Sequence, residues 1–325
     1  MNSNYCPLIF HGIYVERSFK SIFLSPCCLA KKGNLSPGGI NFTNNSFLNK
    51  LRAENLNNIR SPECDSCWKL EDAGGESKRL VTLDQYVNNQ IPTDTKATLF
   101  SIDYNTLPIC NAKCVICSPI YSSTWAAASG FSLKNITTDN YDHLNGLDID
   151  NLKTLYFNGG EPLLTDEHLI FLRRIKNLSV VDIMYNTNGS CYPNKEVLNL
   201  WAKAKTVKLF FSIDAIGEQF EKIRTPLKWN IVSSNIKKIY TNNIVETHCS
   251  FTLGRHNVYN LIETINWFAQ LPAFDTYSRF HVHCVNEGHN LNINCASKEE
   301  RENFKNELVK FKDYYWFKSI LNSIK

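Results

Sequence analysis

From about residue 97 onward, short runs rich in β-branched and aromatic residues alternate with stretches of helical periodicity. Six runs have the length of strands, and the predicted strands are residues 97–104, 152–158, 180–186, 206–213, 246–253 and 279–286. The spacers between them are long enough for crossover helices, so the pattern predicts an α/β fold built from parallel βαβ units. Polar motifs fall at the carboxyl ends of these strands, the edge where barrel active sites lie.

Three cysteines follow the first of these strands within eight residues: Cys110, Cys114 and Cys117. Three thiolates cannot fill the four positions of a tetrahedral site or of a four-iron cube, so one position is left for a non-protein ligand. A closed zinc site completed by a fourth ligand elsewhere is the alternative, because Cys-x2-Cys pairs are common in zinc sites.

The second strand ends in a glycine pair and an acid, Gly159, Gly160 and Glu161. Two glycines let a ligand approach the backbone closely, and a carboxylate just past a strand end can receive an ammonium group. A zinc ribbon does not require this arrangement.

At the end of the fourth strand, Ser212 and Asp214 share one face by period-2 alternation, so both can point into one cavity; the alternative is a cap at the strand end.

Together these motifs resemble the radical S-adenosylmethionine (radical SAM) superfamily. The cysteines form the Cys-x3-Cys-x2-Cys hallmark as CNAKCVIC, and further matches follow in the family's order: Gly159-Gly160-Glu161, Thr187-Asn188-Gly189, Ser212 with Asp214, and then Arg224 and Trp229. The resemblance implies an open, partial (β/α)6 TIM-type barrel whose side admits large substrates. One departure is Ile116, where the family often has an aromatic residue near the adenine; this leaves the adenine contact to other side chains.

The resemblance also implies site roles. Cys110, Cys114 and Cys117 would hold a 4Fe-4S cluster whose open iron binds the amino and carboxylate groups of S-adenosylmethionine (SAM). Glu161 and the neighbouring glycine backbone would receive the ammonium, and Arg224 or Ser212 the carboxylate. The candidates for the ribose are Asn186, Thr187 and Asp214. Reductive cleavage of SAM would give a 5′-deoxyadenosyl radical that abstracts hydrogen from a substrate, with a low-potential electron donor such as flavodoxin or ferredoxin. No motif identifies a catalytic acid or base.

The first ninety or so residues carry five further thiols in a turn-rich background: Cys6, Cys27, Cys28, Cys64 and Cys67. A small module with little hydrophobic periodicity needs a staple, and a metal cluster bound by four of these thiols would supply it. The segment resembles the twitch form of the SPASM module, which carries an auxiliary 4Fe-4S cluster, although that module usually follows the barrel and has more cysteines. We prefer Cys27 as the ligand, with Cys28 as the alternative. Four thiolates are also a common structural zinc set, and that reading stays open.

At 325 residues the chain should form a large domain and a smaller one. We predict an auxiliary-cluster module at residues 1–92, the partial barrel at 93–290 and a C-terminal helix at 291–325. Ser297 with Glu300 forms a possible capping box for that helix, and Phe304, Leu308 and Phe311 follow at helical spacing.

Bulk properties limit the compartment and the partners. A net charge of +4 without a basic stripe does not mark a dedicated nucleic-acid binder. The start of the chain lacks a signal peptide and no apolar run is long enough to span a membrane, which indicates the reducing cytoplasm. There, many of the twelve cysteines would act as metal ligands rather than form disulfides.

Auxiliary clusters in related enzymes accompany peptide and protein modification, so a peptide or protein is the expected substrate. Two alternatives stay open. The first is the same chemistry on a small molecule or nucleotide, and the second is a non-catalytic zinc-binding protein.

Overall fold

The structure of the chain is a computed structural model that describes residues 3–19, 21–34, 39–131, 144–285 and 289–325. Its strands are β1 (Gly12–Arg17), β2 (Ile22–Ser25), β3 (Gly33–Asn34), β4 (Ser101–Asn105), β5 (Thr154–Asn158), β6 (Asp182–Thr187), β7 (Thr206–Ser212), β8 (Glu246–Leu253) and β9 (Phe280–Cys284). They form one sheet in the order β3-β2-β1-β4-β5-β6-β7-β8-β9.

The six predicted strands correspond to β4 through β9, and all their pairings are parallel. The last residue of the sixth predicted strand, 286, lies outside the described residues. Along β6 and β7 every second side chain is buried, as in Val207, Leu209 and Phe211. This face packs against the helices, and the opposite face carries the polar positions that the motifs supply. Within the described residues β3 and β9 are the two ends of the sheet and do not pair with each other, so the predicted fold class, an open partial TIM-type barrel, is confirmed.

Helices connect the strands. Their bounds are α1 (Pro7–His11), α2 (Ser46–Leu56), α3 (Asp65–Asp72), α4 (Lys78–Asn88), α5 (Ser123–Ala128), α6 (Glu167–Arg174), α7 (Lys195–Trp201), α8 (Gly217–Ile223), α9 (Trp229–Thr241), α10 (Leu261–Ala269), α11 (Thr276–Arg279), α12 (Lys298–Leu308) and α13 (Phe317–Ser323). The predicted capping box is present at the start of α12, where Ser297 and Glu300 bond each other's backbone N–H groups. The predicted single C-terminal helix is divided, because the chain turns in a short 3-10 segment at Val309–Phe311 before α13.

The N-terminal segment joins the same sheet as the barrel strands. β1 pairs with β4 in parallel, with Val15 opposite Tyr104, and β2 pairs with β1 in antiparallel orientation. Val15 and Leu24 are buried in the same hydrophobic core as the barrel residues, whereas a smaller cluster around Cys6 and Phe10 packs separately. The cysteine-rich segment is therefore continuous with the barrel through β1. No helix in the described part of the chain is both long and apolar enough to cross a membrane.

Candidate active site

The cysteine loop follows β4 and lies against the start of α5. Ser123 Oγ accepts from the Cys110 N–H at 3.0 Å, and Thr124 Oγ1 donates to the Cys110 carbonyl at 2.6 Å. Trp125 Nε1 donates to the Cys114 carbonyl at 2.8 Å. These bonds fix the loop backbone, so the three thiols are held in place by the helix that follows them.

All three cysteines line one cavity of about 560 Å³ at the carboxyl ends of the strands. Its lining consists of Cys110, Ala112, Cys114, Ile116, Cys117, Ser118, Tyr121, Asn158, Gly159, Gly160, Asn186, Thr187, Asn188, Ser212, Arg224 and His289. Burial, together with the nearby Cys114, Glu161 and Cys117 charges, raises the pKa of the Cys110 thiol to about 12. Buried thiols this close together favour their neutral form unless a positive metal centre stabilises the thiolates.

The donor set fits a 4Fe-4S cluster with one open position. Three sulfurs face the cavity, and no fourth cysteine is among its lining residues. The Arg224 guanidinium lies 3.7 Å from the Cys114 sulfur, and its buried Nε finds no hydrogen-bond partner within the described residues. Among those residues no three His, Cys, Asp or Glu side chains are placed to ligate a single metal ion. The thiolates of a four-iron cluster bind different iron atoms, so they need not converge on one point.

The glycine pair brings the β5 end against the cysteine loop. A Cβ on Gly160 would stand 2.2 Å from the Ile109 carbonyl oxygen, and one on Gly159 would stand 2.7 Å from the Thr106 backbone. Gly159 also has a φ of +122°, which side-chain-bearing residues rarely adopt. Both glycines line the cavity as predicted, but their close backbone contact is with the chain itself. These backbone contacts account for both glycines without a ligand. They also place Cys110, which follows Ile109, beside the Gly159-Gly160-Glu161 motif.

Glu161 is buried, and it links its own Gly-Gly-Glu motif to the Thr187-Asn188-Gly189 motif. Thr187 Oγ1 donates to one carboxylate oxygen at 2.8 Å, and the Asn188 N–H donates to the other at 2.6 Å. Burial raises the pKa of Glu161, and these hydrogen bonds oppose that rise. Glu161 is not among the cavity-lining residues, whereas Thr187 is. An ammonium contact for Glu161 stays a prediction.

Asp214 is fully buried and pairs with Arg224. One carboxylate oxygen, Oδ2, lies 2.6 Å from Arg224 Nη2 in an ion pair, and the other, Oδ1, accepts from the Thr252 N–H at 2.8 Å. Burial lowers the pKa of Arg224, but the Asp214 charge and the neighbouring thiols outweigh this and leave it raised. Arg224 and Ser212 line the cavity and Asp214 does not, so Asp214 lies behind Arg224. A contact between Asp214 and the ribose stays a prediction.

Several residues that line the cavity were not among the site residues predicted from the sequence. Asn158 Oδ1 accepts from Asn186 Nδ2 at 2.6 Å, and Asn186 Oδ1 accepts from the Tyr156 hydroxyl at 2.9 Å. Asn158 precedes the glycine pair and Asn188 follows Thr187, so their positions beside recognised motifs were the available signal. Tyr121 and His289 offered no such signal, because each is an isolated residue in a loop.

Four N-terminal thiols come together in a second pocket. Cys6, Cys27, Cys64 and Cys67 line it together with Trp68, Lys78 and Arg79. Burial and, to a smaller extent, the neighbouring Cys27 and Cys67 thiols raise the pKa of Cys64 to about 12. Cys28 is not among the lining residues. The preferred set, with Cys27 rather than Cys28, is thus the set that the fold gathers, and its role as a ligand set stays a prediction.

No curated protein matches the sequence. Among solved structures, anSMEcpe with bound AdoMet is 16% identical with a TM-score of 0.42, over 66% of this chain and 60% of that one. SuiB of Streptococcus suis bound to S-adenosylmethionine is 14% identical with a TM-score of 0.44, over 94% of this chain and 69% of that one. The match to anSMEcpe therefore spans about 60% of that protein's length.

The sequence profile described as Radical SAM superfamily matches residues 104–268, which is just over half of the chain. The matched segment contains the cysteine loop, the glycine pair with its acid, the Thr187 turn and the buried Asp214–Arg224 pair. These elements surround one cavity, which Cys110, Cys114 and Cys117 line. The chain therefore belongs to the radical SAM superfamily.

Proposed function

We propose that this chain is an enzyme that reductively cleaves SAM at a 4Fe-4S cluster and abstracts hydrogen from a peptide or protein. The observation that carries the proposal is the cavity itself, in which Cys110, Cys114 and Cys117 share a wall with Arg224. When bound, the cluster and SAM supply a 5′-deoxyadenosyl radical to the cavity. The residues of the chain hold both groups, orient them and exclude water.

Some of the residues proposed to bind SAM line the cavity, and others lie behind the lining residues. Among the described residues no group accepts from the buried Nε of Arg224, which suits a carboxylate, and Ser212 offers a second donor on the lining of the same cavity. Gly159 and Gly160 present backbone to the ammonium, with Glu161 behind them. Asn186 and Thr187 are the ribose candidates that line the cavity, and Asp214 would act through Arg224 or the adjacent backbone.

We further propose that the N-terminal segment is a twitch or SPASM-like module whose Cys6, Cys27, Cys64 and Cys67 hold an auxiliary 4Fe-4S cluster. The supporting observation is that these four thiols line one pocket. A low-potential protein such as flavodoxin or ferredoxin would supply electrons. A structural zinc ion at the same thiols is the competing reading.

A peptide or protein is proposed as the substrate because the sheet is open between its two end strands, β3 and β9, among the described residues. An open side admits an extended chain that a closed barrel would exclude. A small molecule or nucleotide is the second candidate. Anaerobic assays with candidate peptides decide between them: 5′-deoxyadenosine formed without any change in peptide mass would contradict the peptide proposal.

Metal analysis tests the chemistry itself. The purified anaerobic protein should be brown and contain about eight irons with matching labile sulfide if both clusters form. Replacing Cys110, Cys114 and Cys117 by Ala should remove about half of this iron and all SAM cleavage, because the auxiliary thiols remain. Cys284→Ala is the matched control, since the Cys284 sulfur contacts Ser323 outside both pockets. A colourless zinc protein, or SAM cleavage by the triple variant, would contradict the proposal.

A further inference from the structure

The four-thiol pocket of the N-terminal segment is bordered by positive charge. Lys78 and Arg79, the first two residues of α4, are the charged side chains among its lining residues, and no carboxylate of the described chain lines it. Its other lining residues, apart from the thiols and Ser66, are apolar. Because apolar surroundings screen charge poorly, these two cations act strongly on whatever the thiols bind. The pocket therefore favours an anionic occupant.

The two cations differ in their partners. Arg79 is paired with Glu71, whose carboxylate oxygens accept from its Nε at 2.9 Å and from its Nη2 at 2.5 Å. In the part of the chain that the structure describes, no carboxylate forms such an ion pair with Lys78, and the Lys78 Nζ instead lies 3.1 Å from the sulfur of Cys28. An ordinary thiol is neutral at pH 7, so it does not balance the charge of an ammonium.

The Lys78 side chain is also partly buried. Burial lowers its pKa, but the neighbouring Cys28 and Cys27 outweigh this and leave the pKa of Lys78 raised, so the ammonium is kept. A partly buried ammonium without a counter-charge is costly, and an anion in the pocket would remove that cost. Four thiolates around an iron–sulfur core carry a net negative charge, and each added electron makes that charge more negative. Such a centre is the counter-charge that Lys78 lacks.

We propose that Lys78 is the counter-cation of the metal centre at the N-terminal thiols and sets the potential at which that centre accepts an electron. Reduction transfers one electron from an external low-potential donor, which is oxidised, to the centre, which gains one negative charge beside the ammonium. Coulomb attraction then favours the reduced state, because the local charge is one of the factors that fix the potential of a cluster. The inference rests on the proposed auxiliary cluster and makes it more specific: the centre is redox-active and not only a structural staple.

A redox titration of the full-length chain tests the role of Lys78. The variant without the three cysteines of the barrel loop keeps only the N-terminal thiols, so the electron paramagnetic resonance signal of the reduced protein reports one centre. In that background, Lys78→Met should lower the equilibrium constant for reduction by titanium(III) citrate about tenfold, a shift of about 59 mV to lower potential. Lys78→Arg keeps the charge and should keep the potential. Lys69→Met is the matched control, because the exposed Lys69 ammonium is already paired with Asp65.

Iron analysis of the same variants gives a second readout. Loss of iron in Lys78→Met with full iron in Lys78→Arg would also support the proposal, since the arginine restores only the charge. An unchanged potential in Lys78→Met, or equal loss of iron in Lys78→Met and Lys78→Arg, would overturn the inference while the background variant still holds its cluster. Zinc in place of iron in the background variant would contradict the proposed auxiliary cluster itself, and the redox role of Lys78 with it.

Discussion

At the scale of single residues, the two carboxylates of the site have protein partners of their own. Glu161 accepts from Thr187 and from the Asn188 N–H, and Asp214 pairs with Arg224. Both carboxylates are almost entirely inaccessible. Glu161 joins the ends of β5 and β6, and Asp214 joins the end of β7 to Thr252 of β8. Any contact with SAM is made in addition to these. The sequence placed them at the strand ends, but it gave no sign of their partners, which follow from tertiary packing.

The buried ion pair should be costly to break. We expect Arg224→Met to lower the free energy of unfolding by about 3–5 kcal/mol, because Asp214 would remain buried without its counter-charge. Arg173→Met is the control, since its pair with Glu196 is exposed and should contribute little. Urea unfolding of the metal-free proteins measures both changes. Equal losses in the two variants would contradict the assignment of Arg224 to a buried pair.

His168 should make stability depend on pH. Burial lowers its pKa to about 4, and its Nδ1 lies 2.9 Å from the Tyr185 hydroxyl. The unfolded chain binds a proton at this histidine below its ordinary pKa, about 6.5, while the folded chain does not bind one until about 4. The stability is thus present above pH 6.5 and lost as the pH falls toward 4.

The measurement compares wild type with His168→Gln. Between pH 7 and pH 5 wild type should lose about 2 kcal/mol more of its unfolding free energy than the variant, since only wild type carries this titration. Urea unfolding at the two pH values gives both numbers. The same loss in both proteins would show that His168 is not the group responsible.

At the scale of elements, the cysteine loop is positioned by the turn after β5. The Glu161 N–H donates to the Ile109 carbonyl at 2.9 Å, and Gly160 leaves no room for a side chain above that carbonyl. The position of Cys110 therefore depends on a glycine about fifty residues further along the chain. In the sequence, the three-cysteine motif and the Gly-Gly-Glu motif simply follow one another. In the structure, the Gly-Gly-Glu turn packs directly on the backbone of the cysteine loop.

A methyl group at Gly160 should move the cysteine loop. We expect Gly160→Ala to lower the unfolding free energy by about 1–3 kcal/mol and to reduce the iron bound at the three-cysteine site, because the new Cβ overlaps backbone. In Gly217→Ala the added Cβ meets nothing within 4 Å, and only its φ of +59° is strained. That control should be destabilised by about 1–2 kcal/mol and keep its iron. Full iron in Gly160→Ala would contradict this role.

At the scale of the whole molecule, the cysteine-rich segment and the barrel share one sheet and one core. β1 contributes Ile13 and Val15 to the core that also contains Tyr104 and Phe157. Cooperative unfolding is the expected consequence, since neither part can lose its structure without exposing apolar surface of the other.

Val15→Asp should therefore unfold more than its own segment. The side chain is fully buried in β1, so we expect a loss of more than about 3 kcal/mol and a single transition for the whole chain. Val87→Asp, on the exposed end of α4, should unfold as wild type does. Circular dichroism and tryptophan fluorescence follow the transition. A variant whose barrel melts at the wild-type midpoint would show that the two parts are independent.

The sequence by itself determined the six parallel strands, the order of the motifs and the loop with three closely spaced cysteines. These properties are local, because strand periodicity, turn residues and ligand spacing each depend on residues that are only a few positions apart in the chain. Only the tertiary structure decided that β1 extends the barrel sheet, that Gly160 seats the cysteine loop, and that Cys27 but not Cys28 lines the N-terminal thiol pocket. Each of these depends on segments that meet only when the chain returns on itself, and no local pattern records which residues will meet.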